Sequence, residues 1–572
     1  MKDKTKENHQ RRKIISCIGG LLALGFYIIS CVMVSRNNAV AREAEKNTDS
    51  KVKTITIAHW QLEDGFREAI DYAIKEFEKL KAEQGEQVKV IQSTVPIRGY
   101  TQWFTTQLIS GNPADLIEII ASADMQSRYF IPLSNYVAKP NPFNKGTFAE
   151  NIPWKDTYVD GMDYSINPVF SEYFGVGIFH HVTRVYVNLD LLQAATGSDK
   201  VPENYGEWLD CCRKLDAYGK KIGKPIIPIG VRGIGKATVS NLTNRYFGEF
   251  NNDYHDRFSR FGKVNCTMQD LLIAMSNDEL DMKRMMIPIR MVRDIGKYFS
   301  EGFTTTDSEQ TKFLFFTGNV GFFPDGTWAA WTMINNSPFR VAITRVPSAY
   351  GYGELAKYFK GRTYESGLGA SGKIGITRAS KHPELALEFL QFLTSWKMNQ
   401  KTMMDFCKWP PVVINSEYKG VLEPMAPFHG DSKRSISIPF SFNSRSNVVM
   451  LEAIEKIITE QDPEPEKTML RAFRKNVPLI RDELMNVTGS DERLFFDLEA
   501  SRNTVAAGLM RSDLSADHRS NQEFRMMMSL ENATDRYGYY RLSQDALNAL
   551  KNIDRVLDKY ENENLEVKRD GN

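Results

Sequence analysis

Two glycine-spaced stretches come nearest to a phosphate-cradling loop, Gly230-x4-Gly235-Lys236 and Gly367-x4-Gly372-Lys373. Such a loop needs a Ser or Thr after the lysine to hold magnesium. Here Ala237 and Ile374 follow, and the second stretch runs into a strand instead of a helix, so both read as turns. Neither an HExxH helix for zinc nor a GxSxG elbow for a serine nucleophile occurs. The six cysteines, Cys17, Cys31, Cys211, Cys212, Cys266 and Cys407, form no CxxC pair and no repeated spacing. Neither a disulfide framework nor a zinc site is indicated, and the neighbours Cys211 and Cys212 read as packed thiols. Acidic neighbours such as Glu63 and Asp64 are close in sequence, but glycan-hydrolysing carboxylates converge from separate strands and cannot be recognised this way. No catalytic residue, metal or cofactor is expected.

The elements that must position the remaining polar and aromatic groups follow a regular order. Val52 to Ala58 alternates with β-branched residues and reads as a strand, and Phe66, Ala69, Ile70, Ala73, Phe77 and Leu80 give the next segment one apolar helical face. Gln87 to Val95 is a second strand, Tyr100 to Ile109 a second helix closed by Gly111-Asn112-Pro113, and Ala114 to Ile120 a third strand. Strand and helix alternating over short connections specify a doubly wound α/β lobe. The alternation returns with strands expected at Gly175 to Leu189, Pro225 to Gly230, Phe339 to Val346 and Lys373 to Thr377, and helices at Tyr205 to Tyr218 and Pro383 to Trp396. Phe313 to Phe323 adds a further apolar run. After about residue 445 only helical periodicity remains, at Val448 to Ile458 and Leu542 to Tyr560. Open α/β sheets bind ligands beyond the carboxyl ends of their strands. Trp60, with His59, at the end of the first strand, and Asp124, just beyond the third, are therefore candidate ligand contacts; Trp60 has edge-of-core packing as its alternative.

Composition and the N-terminus narrow the function class. Apolar residues at 42% and charged residues at 25% are globular values. Lys plus Arg number 73 against 71 Asp plus Glu, a net charge of +2, so no basic field exists to grip a phosphate backbone and no nucleic-acid partner is expected. Lys2, Lys4, Lys6, Arg11, Arg12 and Lys13 precede an uncharged run from Ile14 to Ser35. A positive flank stays cytoplasmic and about 20 apolar residues span a bilayer, so the chain after Ser35 is exported and tethered, or released. Three fates are open. Ile28-Ile29-Ser30-Cys31 resembles a lipobox that would make Cys31 a lipidated N-terminus, Ala39-Val40-Ala41 fits an ordinary signal peptidase, and the length fits an uncleaved anchor. Arg42 to Lys53 reads as a polar tether.

Four stretches then carry a family likeness, in order, over roughly residues 52 to 420. They are TITIAHW (54 to 60); ISGNPADLIEI (109 to 119); VYVNLDLL (185 to 192) with VPENYGEWLDCCRKL (201 to 215); and FTGNVGFFPDGTWAAW (316 to 331) with KIGITRASKHPELALEFLQFLTS (373 to 395). The chain resembles the extracellular solute-binding proteins of ABC importers, in particular the family 1 group that binds maltose and other oligosaccharides. Phe322-Phe323 replaces the Ala-Met usual there, Tyr205-Gly206 replaces Thr-Trp, and the residues after about 460 have no counterpart.

The resemblance implies two doubly wound lobes of the type II periplasmic-binding fold that close through a hinge on a solute, followed here by a C-terminal helical extension. The expected division is 1–50 for signal, anchor and tether, 51–180 for the first lobe, 181–372 for the second, 373–430 for the return to the first, 431–480 for second-lobe helices and 481–572 for the extension. It further implies that Trp328 stacks on a sugar, with packing beside Trp331 as the alternative. His181 becomes a polar ligand contact or a satisfied hinge histidine, and Trp409 a cleft-side aromatic or packing under Pro410-Pro411. Asp115 matches a turn aspartate that is usually structural and is the weaker candidate for solute contact. The implied partners are a sugar, the transmembrane subunits of an ABC permease and the membrane. An exported glycan-processing enzyme and an interaction scaffold are the rival readings. The tail, with Met526-Met527-Met528, Phe495-Phe496 and Tyr537, Tyr539 and Tyr540, either packs on the second lobe or presents a partner surface.

Overall fold

The computed structural model describes residues 52–562 apart from 168–169, 171, 232–236, 261–265, 307, 352, 364–369, 429–443 and 512–515. The expected membrane segment with Cys31, the Ala39-Val40-Ala41 site, most of the first glycine-spaced loop and the start of the second lie outside the described residues. Among those described, no helix is long and apolar enough to cross a membrane.

Among the described residues ten strands occur in chain order: β1 (Val52–His59), β2 (Gln87–Thr94), β3 (Leu116–Glu118), β4 (Ile166–Asn167), β5 (Glu172–Tyr173), β6 (Thr183–Asn188), β7 (Ile227–Ile229), β8 (Val320–Gly326), β9 (Val341–Arg345) and β10 (Ile374–Ile376). The first main sheet has the order β10-β3-β1-β2, with β1 parallel to β2 and β3 and β10 antiparallel to β3. Ile55 and Ile57 of β1 are buried against Phe66, Ile70 and Phe77, which recur along one face of helix α1 (Phe66–Glu83). That face also meets Leu385, Phe389 and Leu393 of helix α2 (Pro383–Leu393), with the rings of Phe77 and Phe389 5.2 Å apart.

The second sheet has the order β7-β8-β6-β9, in which β7 and β8 are parallel and β6 runs against both β8 and β9. Its main core brings Val185 and Val187 together with Trp208 and Leu215 and with Met285 and Ile295. Each sheet with its helices forms an α/β lobe, so the fold is two-lobed, as expected. The expected strand from Gly175 to Leu189 is divided: only Thr183–Asn188 is a sheet strand, and residues 174–180 form a crossing segment. The apolar run at Phe313 to Phe323 is likewise a helix (Ser308–Phe316) followed by β8. Both segments are apolar throughout, and periodicity cannot separate strand, helix and crossing chain in such runs.

The crossing segment pairs antiparallel with residues 371–374. Val176 N donates to Ile374 O and Ile374 N to Val176 O, each at 2.9 Å, and Ile178 N donates to Ser371 O at 2.8 Å. His180 N reaches Pro410 O at 2.9 Å, which ties a third stretch to the pair. Satisfied backbone groups let these segments run between the lobes without exposing a sheet edge.

The tail is helical, as its periodicity predicts: Ser444–Glu460, Pro465–Leu509, Ala516–Ala549 and Ile553–Asn562. The expected boundary at 480/481 falls inside the second of these helices. Ile454, Phe473, Leu542 and Leu557 belong to the same core as Val185 and Trp208. Gln269 Nε2 donates to Ser543 Oγ at 3.2 Å, Ser276 Oγ to Ala549 O at 2.8 Å, and Arg290 forks onto Glu466. The tail is rooted in the second lobe, while Met510, Phe496 and Met527 at its far end are exposed.

Candidate functional site

β1 ends at His59 and β8 at Gly326, so the residues that follow each strand, Trp60 and Trp328, reach the gap between the sheets. Both indoles line a cavity of about 260 Å³, one from each lobe. Each is held from behind. Trp60 packs edge-on to Tyr100, with ring centroids 5.0 Å apart, and the Tyr100 hydroxyl donates to Glu118 O at 2.7 Å. Trp328 follows Thr327, whose N–H donates to Val182 O at 3.0 Å and whose hydroxyl accepts from Val182 N at 3.4 Å, so its loop is fastened to the crossing segment. The indole folds back over Gly326, where a Cβ would run into the Trp328 ring.

The crossing segments supply His181, Phe179, Ser371 and Gly372 to the same cavity. His181 Nδ1 lies 2.9 Å from Ser371 Oγ, and its ring centroid is 5.7 Å from that of Trp328. Desolvation holds its pKa below the usual imidazole value. Gly372 has φ +64°, and a side chain there would meet the Phe179 ring. Trp409 also lines the cavity but is only 2% exposed, packed edge-on to Phe179 at 4.8 Å and tilted against Phe66 at 5.4 Å. It is packed into the core between these two rings.

Two polar groups at this wall have no hydrogen-bond partner among the described residues: the Trp409 Nε1 donor and the Glu63 Oε2 acceptor. A buried donor or acceptor left unmet costs about 1–3 kcal/mol. Gln61, another lining residue, instead donates from Nε2 to Glu118 Oε1 at 2.7 Å. Glu118 is buried beneath it, also accepts from Trp60 N at 3.4 Å, and burial pushes its pKa up to about 8. His59, buried beside Phe66 and 2.8 Å from Gln92 Oε1, is driven the other way by burial, down to about 4. Burial thus favours the neutral form of both groups behind Trp60 and Gln61.

Of the residues expected from sequence, Trp60, His181, Trp328 and Trp409 converge on this cavity. Asp115 does not line it. Its Oδ2 accepts from Thr56 N and Oγ1 at 2.8 and 2.9 Å and its Oδ1 from Ser380 at 2.6 Å, which joins β1, β3 and the turn before α2. Asp124 lies in the short helix Ala123–Tyr129, and its side chain is outside the described residues. Gln61, Glu63, Ser371 and Gly372 were not anticipated, although Gln61 and Glu63 directly follow Trp60 beyond a strand end. Among the described residues, no group of three or more His, Cys, Asp or Glu could hold a metal ion, and Cys211, Cys212, Cys266 and Cys407 are free thiols.

Two α/β lobes, paired crossing segments and an aromatic cavity between the sheets define a binding protein for a small solute. Residues 59–400, more than half of the chain, match the family described as bacterial extracellular solute-binding protein, and the chain belongs to that family. Among curated proteins no relative matches the chain. Similar solved structures include the binding protein RafE in complex with raffinose, at 17% identity and TM-score 0.49, covering 74% of this chain and 99% of that one. Lmo0181 from Listeria monocytogenes in complex with cycloalternan is similar at 16% identity and TM-score 0.46, covering 75% and 99%. Maltose-bound MalE3 of T. maritima is similar at 16% identity and TM-score 0.45, covering 75% and 100%.

Proposed function

We propose that this chain is the extracytoplasmic solute-binding component of an ABC importer, which captures a carbohydrate, an oligosaccharide, between its lobes and delivers it to the permease without chemistry of its own. The N-terminal segment tethers it outside the cytoplasmic membrane, with Cys31 as the lipidation site. The observation that carries the reading is the wall of the interlobe cavity: indoles of Trp60 and Trp328 from opposite lobes beside the polar pair His181 and Ser371, 2.9 Å apart. A pyranose has apolar C–H faces for the indoles and hydroxyls that both donate and accept. Contacts from two lobes favour the closed state, which lets a permease distinguish loaded from empty protein. A cavity of about 260 Å³ lies just below the roughly 300–1,000 Å³ of ligand pockets, so a solute longer than one ring has to extend along the cleft.

The test is a thermal-shift and titration screen of the full chain against mono- and oligosaccharides, with Trp328→Ala alongside. A ligand at 100 times its Kd adds about 2.7 kcal/mol and raises the melting temperature by a few degrees. The wild type should shift and the variant should bind at least tenfold more weakly. No shift with any carbohydrate refutes the sugar class. The glycan-processing alternative requires a carboxyl pair in the cavity, whereas among the described residues lining it Glu63 is the single acidic one. Release of reducing ends from a bound oligosaccharide would nevertheless overturn the non-enzymatic reading.

A further inference from the structure

β3 ends at Glu118, and its carboxyl lies directly behind two residues that line the interlobe cavity. Oε1 accepts from Gln61 Nε2 at 2.7 Å and Oε2 from Trp60 N at 3.4 Å. The Glu118 carbonyl oxygen accepts from the Tyr100 hydroxyl, whose ring in turn packs edge-on to the Trp60 indole. Strand register accounts for the convergence: Ile57 and Ala58 of β1 lie beside Leu116 and Ile117 of β3, so both strands run together to the cleft, where β1 gives way to Trp60 and Gln61. Glu118 is 1% exposed and is not itself part of the cavity wall. It nevertheless holds the amide of Gln61, the backbone of Trp60 and, through Tyr100, the indole.

The groups packed around this carboxyl leave few others that titrate with it. His59 at the end of β1 is held neutral by burial, at about 4, and burial pushes the Tyr100 hydroxyl above its usual range. Glu63, on the loop after Trp60, lines the cavity and its repulsion adds to the burial that raises Glu118. Lys373 belongs to the chain that pairs with β3, its carbonyl accepting from Ile119 N at 2.7 Å, and burial lowers its ammonium to about 8. A solute laid on Trp60 and Gln61 replaces the water above Glu118, and loss of that water penalises the ionised form further. A solute that prefers the neutral carboxyl tightens its hold on the proton by the factor by which the proton tightens the solute.

We propose that Glu118 is a positioning residue of the solute site and that its proton is coupled to solute capture: the neutral carboxyl holds Trp60 and Gln61 in the binding arrangement, and loading the cavity draws a proton from solvent onto the carboxyl wherever it is ionised. The proposal rests on the carbohydrate reading above and deepens it. The experiment is calorimetry on the full chain with maltotriose, raffinose, cellotriose and xylotriose, none of which titrates between pH 6 and pH 9. Wild type, Glu118→Gln and Glu118→Ala are compared, with melting curves at each pH. Titrations at pH 9 in buffers of different ionisation enthalpy count the protons taken up on binding.

A tenfold stronger hold on the proton in the loaded protein gives binding about fivefold weaker at pH 9 than at pH 7. Wild type should show this loss together with proton uptake at pH 9. Both should vanish in Glu118→Gln, which keeps Lys373 and Glu63. Glu118→Ala removes the acceptor of Gln61 and Trp60 and should bind at least tenfold more weakly at pH 7, with Gln restoring most of the affinity. If the Ala variant melts below the assay temperature, the Gln variant's pH profile and proton count decide. A wild-type affinity that is flat from pH 6 to pH 9, or a profile equally steep in Glu118→Gln, overturns the coupling. Wild-type affinity in a folded Glu118→Ala overturns the positioning role. If none of the four sugars binds, the proposal falls with the carbohydrate reading, a result distinct from binding without pH dependence.

Discussion

Replacing Glu118 with Gln tests the electrostatics of the cleft floor. Burial raises the Glu118 carboxyl from its usual 4.5 to about 8, opposed mainly by the Gln61 hydrogen bond. An acid whose folded pKa is raised keeps its proton in the folded state while the unfolded chain releases it. Stability is then fully present below pH 4.5, falls as pH rises, and reaches its full loss above pH 8. At about 1.4 kcal/mol per pKa unit, the interval between 4.5 and 8 corresponds to a loss of about 5 kcal/mol. Gln at this position reproduces the neutral carboxyl: its carbonyl still accepts from Gln61 Nε2, and only the long 3.4 Å bond from Trp60 N is given up. Urea unfolding of both proteins at pH 5, 7 and 8.5 should show near-equal stability at pH 5 and a Glu118→Gln advantage of several kcal/mol at pH 8.5. A difference that is flat across this range refutes the argument that Glu118 is neutral in the folded protein. His59 titrates in the opposite sense: burial lowers it from 6.5 to about 4, so its contribution is complete above pH 6.5 and lost as pH falls towards 4.

Three further perturbations separate binding from folding. Gly326→Ala should displace the Trp328 indole, because the new Cβ meets that ring; carbohydrate affinity should drop at least tenfold by calorimetry, and unchanged affinity would show that the indole position does not matter. Asp115→Ala removes the acceptor shared by Thr56 and Ser380, at a cost of about 2–3 kcal/mol for hydrogen bonds to a charged group; denaturation should register it, with the Kd for solute unchanged. Deletion of 481–572 strips Leu542, Leu550, Ile553 and Leu557 from the second-lobe core, each worth about 2–5 kcal/mol by analogy with Leu→Ala truncation. Loss of cooperative melting is the expected result, and an intact melting temperature would restore the tail as a purely partner-facing surface.

The amphipathic elements were legible because burial on one face leaves a period in the chain. Phe66, Ile70, Ala73 and Phe77 mark α1, and Leu542, Ala546, Leu550, Ile553 and Leu557 mark the tail helices, before any contact is known. The end of the first strand was legible for the same reason and points to Trp60, whereas Trp328 was marked by the family resemblance, its strand lying beyond the apolar run Phe313 to Phe323. The crossing segment at 174–180 was not legible, because a chain buried on every side carries no period. Only its hydrogen bonds to 371–374 distinguish it from the strand that follows.

The sequence alone determined an α/β chain with a helical tail, a membrane-length apolar N-terminus, and aromatic residues placed at the ends of strands. It could not determine what those aromatics do, since a tryptophan that stacks on a ligand and one that fills a core are the same residue. Tertiary structure decided that Trp328 and Trp60 line one cavity, that Trp409 beside them is almost wholly buried against Phe66 and Phe179, and that Asp115 is engaged by Thr56 and Ser380. It also decided the protonation of Glu118 and His59 and brought Arg245, Arg345 and Arg362 to one cavity. The physical reason is common to all of these. Side-chain burial, desolvation and the meeting of distant charges are pairwise quantities, set by which chain segments fold against one another and not by the local order of residues.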